Sequence, residues 1–175
     1  AESEPNNSIF DAQNVDGFFT LDFDPSITNS TSWPHVSIRG DGVHDNGQSR
    51  DFFSFTVPAP NTTFLFDIDN GMYDLDSWLN FYDSDGNFLT SHDDGNIIDR
   101  GSVHQWDSYF YLIFPTPGLY YVSVGRFFDS NLLGYQDYVL HISMDISRSV
   151  PEPTSLALLG LGLAGLAAFR RKLAA

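Results

Sequence analysis

The chain has 175 residues, 42% hydrophobic and 15% aromatic, which is enough to build one domain with a real core. It has no cysteine, so disulfides and thiolate metal sites are excluded. Its formal net charge of −15 gives a surface that repels nucleic acid and anionic membranes, and that favours solubility, a salt-rich habitat or divalent cations.

Almost every segment before residue 150 reads as strand. The polar start, residues 1–8, is expected to be flexible. Residues 18–23 (FFTLDF) alternate loosely and predict a first strand, and residues 36–40 (VSIRG) a short one. Between and after them, residues 24–49 are rich in Ser, Thr, Asn and Gly and read as a long irregular excursion. Residues 51–57 (DFFSFTV) place Phe53, Phe55 and Val57 on one face. Residues 63–69 (TFLFDID) turn Phe64, Phe66 and Ile68 inward and Leu65, Asp67 and Asp69 outward. Residues 77–83 (SWLNFYD) bury Leu79 and Phe81, and Asp85-Gly86 then signals a hairpin turn before a return over 88–91. Residues 109–114, 119–125 and 138–146 complete the set; Tyr120, Val122 and Val124 share one face, as do Tyr138, Leu140, Ile142 and Met144. Many short strands with Gly- and Pro-rich turns predict an all-β fold, an antiparallel two-sheet sandwich of jelly-roll type.

The acidic residues crowd between 67 and 107: Asp67, Asp69, Asp74, Asp76, Asp83, Asp85, Asp93, Asp94, Asp99 and Asp107. Carboxylates this close repel unless water separates them or a cation joins them. Calcium, a hard ion taking 6–8 oxygens, is the natural partner, set against a merely solvated acidic rim. An EF-hand does not fit, because aligning Gly86 as its loop glycine puts Phe81 and His92 at ligand positions. Any such site must be assembled from separate loops. His92 and His104 lie beside these aspartates, but no H-E-x-x-H pair exists, and neither G-x-S-x-G nor a P-loop is present. The reading is of a protein that is not an enzyme. Trp106, Phe127 and Phe128 sit in or beside loops, where they either anchor those loops or stack on sugar rings.

The last 26 residues change character. Pro151, Glu152 and Pro153 break any preceding ladder, and Thr154 or Ser155 suits a helix cap. An uncharged apolar stretch follows, ending at Phe169, and then Arg170, Arg171 and Lys172 arrive together. Residues 154–169 predict a single hydrophobic helix about 24 Å long, slightly short of a ~30 Å hydrocarbon core, with the basic cluster snorkelling on the cytoplasmic side. Since this tail holds only Glu152 against three basic residues, residues 1–149 carry −17.

Val150, Pro151, Glu152 and Pro153, the short Leu/Gly/Ala helix, and Arg170, Arg171 and Lys172 together resemble the PEP-CTERM sorting tail of Gram-negative bacteria. The resemblance implies recognition by an exosortase, a membrane protease, and export to the cell surface or extracellular matrix with transient anchoring in the inner membrane. Export in turn implies a leader removed ahead of Ala1. Asp51-Phe52-Phe53-Ser54-Phe55, residues 76–83, Asp85-Gly86-Asn87, Asp93-Asp94, Asp107-Ser108 and residues 117–122 resemble the bacterial pre-peptidase C-terminal domain, a small β-sandwich of exported proteins. That likeness implies calcium at one end of the sandwich and, by position, Asp76, Asp93, Asp94 and Asp107 as ligands, with Asp74 a weaker candidate. The insert at residues 95–105 departs from the tight loops expected there. The organisation expected is a flexible start (1–8), a sandwich (9–149) and a sorting tail (150–175). The expected role is an exported, calcium-assisted, non-catalytic surface or matrix protein, with two alternatives. One is a self-assembling subunit of an extracellular fibre that uses the tail helix as interface. The other is a module that binds the exopolysaccharide of the matrix.

Overall fold

Alternating side chains need two sheets to bury one face of each, and that is how the chain folds. The structure is a computed structural model and describes residues 1–42, 48–69, 71, 75–95 and 99–146. In chain order the strands are β1 (Gln13–Asn14), β2 (His35–Asp41), β3 (Gln48–Ser49), β4 (Asp51–Val57), β5 (Thr62–Asp69) and β6 (Ser77–Tyr82). They continue as β7 (Phe88–His92), β8 (Tyr109–Phe114), β9 (Gly118–Arg126), β10 (Leu132–Leu133) and β11 (Asp137–Asp145). One sheet has the order β1-β4-β9-β6-β7, the other β2-β11-β5-β8, and β10 pairs with β3 as a small ribbon. Pairing is antiparallel except for β1 beside β4.

The first sheet turns Phe53, Phe55, Val57, Leu79, Phe81, Tyr120, Val122 and Val124 inward, and the second answers with Phe64, Phe66, Ile68, Phe114, Leu140 and Ile142, all buried. Phe55 sits at the centre, its ring 5.1 to 5.5 Å from those of Phe64, Phe66 and Phe114. The inward residues expected on these strands are all buried, apart from Met144, which is half-buried at the core's margin. Gly40 is required because a Cβ there would lie 2.3 Å from Tyr138 Cζ. The hairpin after β6 is closed by Asp83, whose carboxylate accepts from the backbone N–H of Asp85 and Asn87, while Gly86 takes the left-handed turn position at φ 82°.

Three expectations need correction or placement. Residues 18–23 are not a strand: a 3₁₀ turn covers Asp16–Phe18, and only Thr20 bridges to His35. Phe18, Leu21 and Phe23 remain more than half exposed, so the loose alternation had no sheet face to bury. The polar start is not loose. Glu2 N–H donates to the Arg39 carbonyl and Asn6 C=O accepts from Phe52 N–H, so the segment is strapped along the sandwich. The expected apolar helix and the whole sorting tail lie outside the described residues; among the described residues no helix is long and apolar enough to cross a membrane.

Candidate functional site

Loop carboxylates meet at the end of the sandwich where β6 begins and β7 and β8 are joined. Asp76 precedes β6, and Asp93 and Asp94 follow β7. Each offers an oxygen within 4.8 Å of the others. Asp76 Oδ1 and Asp93 Oδ1 are buried with no hydrogen-bond partner. Burial and the neighbouring Asp94 raise both carboxyls, Asp93 to about 6. The frame is rigid: Ser77 Oγ accepts from Ser108 N–H at 2.8 Å, and Ser108 Oγ donates to the Ser77 carbonyl at 3.0 Å, tying β6 to the start of β8.

Asp107 does not join this group. It is fully buried, and its Oδ2 accepts from Val103 N–H at 2.7 Å and His104 N–H at 3.4 Å, while Oδ1 lies 3.3 Å from His104 Nδ1. Its backbone carbonyl also accepts from Gly95 N–H, so the residue organises the inserted loop. Asp74 lies outside the described residues. His92 stacks flat on Phe110 with ring centroids 4.0 Å apart, and burial lowers its pKa, so it serves packing.

Two further acidic groups were not singled out as ligand sets from sequence. Glu2, Glu4 and Asp51 converge within 4.8 Å where the N-terminal strap crosses β4. Asn6 is fully buried beside them, and neither its Oδ1 nor its Nδ2 has a hydrogen-bond partner. Asp51 is fully buried, and its Oδ2 accepts from Tyr138 Oη at 2.6 Å. Burial and the Glu2 charge push its carboxyl up to about 8. The spacing of Glu2, Glu4 and Asn6 was a readable signal, hidden by the expectation of a flexible start. The third group is Asp67, Asp69 and Asp99, on the outer face of the second sheet. Alternation correctly turns Asp67 and Asp69 away from the core, yet they are 3% and 0% exposed. The excursion covers that face: Ile27 is buried, Trp33 meets Tyr111 edge-on, and Asp24 accepts from Ser37.

Beside the first group lies an aromatic patch. Trp78 and Phe127 are 6.2 Å apart, Phe127 and Phe128 4.1 Å, and Trp106 sits against His104. Phe128 is 80% exposed, and both it and Asp129 hold positive φ, conformations unfavourable for side-chain-bearing residues. Arg50 and Asn80 fix that turn by bonding Asp129.

Known proteins give two matches along the chain. The bacterial pre-peptidase C-terminal domain matches residues 49–126 and the PEP-CTERM protein-sorting motif residues 149–172. No curated protein matches. Among solved structures, the pre-peptidase C-terminal domain of a collagenase from Bacillus anthracis is 12% identical, covering 81% of this chain and 99% of its own, with a TM-score of 0.45. PliG, a periplasmic inhibitor of g-type lysozyme from Aeromonas hydrophila, is 13% identical over 63% of this chain and 86% of its own, at 0.44. Residues 49–126 thus match the bacterial pre-peptidase C-terminal domain, and the PEP-CTERM protein-sorting motif matched over residues 149–172 marks the chain as an exported protein processed at the membrane by an exosortase.

Proposed function

We propose that this is a non-catalytic protein of the cell surface or extracellular matrix whose sandwich is clamped by calcium after export. The observation that carries the reading is the meeting of Asp76, Asp93 and Asp94 from separate loops, with buried oxygens on Asp76 and Asp93 that have no hydrogen-bond partner. An all-oxygen set of this kind suits a hard divalent ion. Glu2, Glu4 and Asp51, with the buried Asn6 beside them, support it at a second place, where an ion would fasten the N-terminal strap to β4. Titrating calcium into ion-stripped protein tests the reading. Heat of binding and a raised melting temperature, both reduced in Asp93→Asn/Asp94→Asn, support it; no binding and no shift refute it.

The aromatic patch favours a second reading, a module that binds the polysaccharide of the matrix. Exposed rings held in a fixed, strained turn next to a cation site suit stacking on sugar faces. Pull-down on the host's own exopolysaccharide, lost in Phe128→Ala, supports it. Equal retention of the variant and the parent chain rejects it.

A further inference from the structure

The second sheet's outer face holds a buried polar row that neither the core nor the calcium reading uses. In the strand registers His141 stands opposite Ser37 on one side and Asp67 on the other, and Asp67 opposite Tyr109. Asp69 lies next along β5, and Asp99 comes in from the inserted loop, its carboxylate accepting from Ser102. Asp67, Asp69 and Asp99 each bring an oxygen within 4.8 Å of the others. Asp67 Oδ1 is buried without a hydrogen-bond partner. Gly101 packs so tightly that a Cβ there would lie 1.9 Å from Asp69 Oδ2, so backbone closes the group off on that side.

An independent observation comes from His141, which is 4% exposed. Ser37 Oγ donates to Asp24 Oδ2 at 3.2 Å, because a carboxylate only accepts. Toward His141 Nδ1, 2.7 Å away, the same hydroxyl oxygen must then accept, which places a proton on Nδ1. In the neutral ring, Nε2 is left as a lone pair aimed at Asp69 Oδ2 from 3.1 Å. Two electron-rich atoms held at that distance repel unless positive charge offsets them, either a second proton on the imidazole or a metal ion bound on the other side of the Asp69 carboxylate. A hydroxyl-and-carboxylate chain behind a histidine is also the arrangement that orients imidazoles at metal centres.

We infer that Asp67, Asp69 and Asp99 hold a divalent cation of the oxygen-preferring class, calcium or manganese, on the outer face of the second sheet, with His141 as the positioning residue behind Asp69. The site uses residues separate from those of the calcium reading above and stands or falls apart from it.

The test strips ions from the full chain in detergent, adds calcium chloride or manganese chloride alone, and counts bound ions by native mass spectrometry and calorimetry. Asp67→Asn/Asp99→Asn should lose one ion relative to the parent chain while the ions lost in Asp93→Asn/Asp94→Asn are kept. His141→Gln should weaken that same ion by about 10- to 100-fold. Should the double variant fold poorly by circular dichroism, Asp99→Asn alone, at the half-exposed edge of the group, carries the same expectation. The inference is overturned if the Asp67/Asp99 variants bind as many ions as the parent with unchanged affinity, or if the parent binds neither ion. It is equally overturned if Asp67→Asn/Asp99→Asn raises the melting temperature in ion-free buffer without changing the ion count, since the row would then be held by shared protons. Loss of ions only in Asp93→Asn/Asp94→Asn refutes this site and leaves the calcium reading standing.

Discussion

Removing cations should turn the pH dependence of stability against the protein. Asp51 and Asp67 are buried, and burial with neighbouring carboxylates pushes them up to about 8 and about 10 in the fold. An unfolded aspartate loses its proton near pH 3.9. Between those values the folded chain holds protons that the unfolded chain has released. Their stabilising contribution is therefore whole below pH 4 and is lost as pH rises, toward 8 for Asp51 and toward 10 for Asp67. Each such carboxyl costs up to ~1.4 kcal/mol per pH unit, so the two together cost up to about 7 kcal/mol between pH 5 and 7.5. That is comparable with the entire 5–15 kcal/mol stability of an ordinary domain. Thermal melts in ion-free buffer should accordingly drop by about 10 °C or more from pH 5 to 7.5, at roughly 2–4 °C per kcal/mol for a chain of this size. Calcium at about a hundredfold above its Kd should return ~2.7 kcal/mol per site at pH 7.5, because it supplies the charge that the protons supplied at pH 5. A melting temperature that stays level or rises between pH 5 and 7.5 without ions would refute the reasoning, as would an equal calcium effect at both pH values.

Three other outcomes are expected. Phe55→Ala removes the ring that Phe64, Phe66, Phe114 and Tyr120 pack around, and should cost about 3–5 kcal/mol in urea unfolding with little change in slope. Gly101→Ala meets both a positive φ of 102° and the Asp69 carboxylate 1.9 Å from the new Cβ, so it should lower stability by at least ~1–3 kcal/mol and weaken ion binding at Asp67 and Asp99; a neutral result would mean the loop sits elsewhere. Replacing Pro151, Glu152 and Pro153 by alanine in the host should leave tailed protein in the membrane fraction. Intact mass then shows whether residues after Pro153 remain, and unchanged release would remove the sorting assignment.

The facing of the core strands was legible because alternation is a local property. Phe53, Phe55 and Val57, or Phe64, Phe66 and Ile68, need only their own neighbours in sequence to declare a side. What covers the other side is not local. Asp67 and Asp69 read as solvent-facing because the pattern puts them outside the sandwich. They are buried because a segment 40 residues earlier, with Ile27 buried and Asp24 bonded to Ser37, folds over that face. The same limit separates Asp107 from Asp76, Asp93 and Asp94. All four are aspartates in loops at one end of the sheets, but two backbone N–H groups turn the Asp107 carboxylate back into its own loop. Residues 1–8 look disordered by composition, since polar residues without periodicity bury little apolar surface. They are held instead by backbone hydrogen bonds to Arg39 and Phe52 and by the Glu2 carboxylate on Asp41 N–H, contacts that no composition can announce. Composition located the charge, and periodicity located the core. Whether a carboxylate faces water, a backbone donor or another carboxylate depends on which distant segment closes over it, and in this chain that closure is what separates a solvated acidic rim from three groups able to hold an ion.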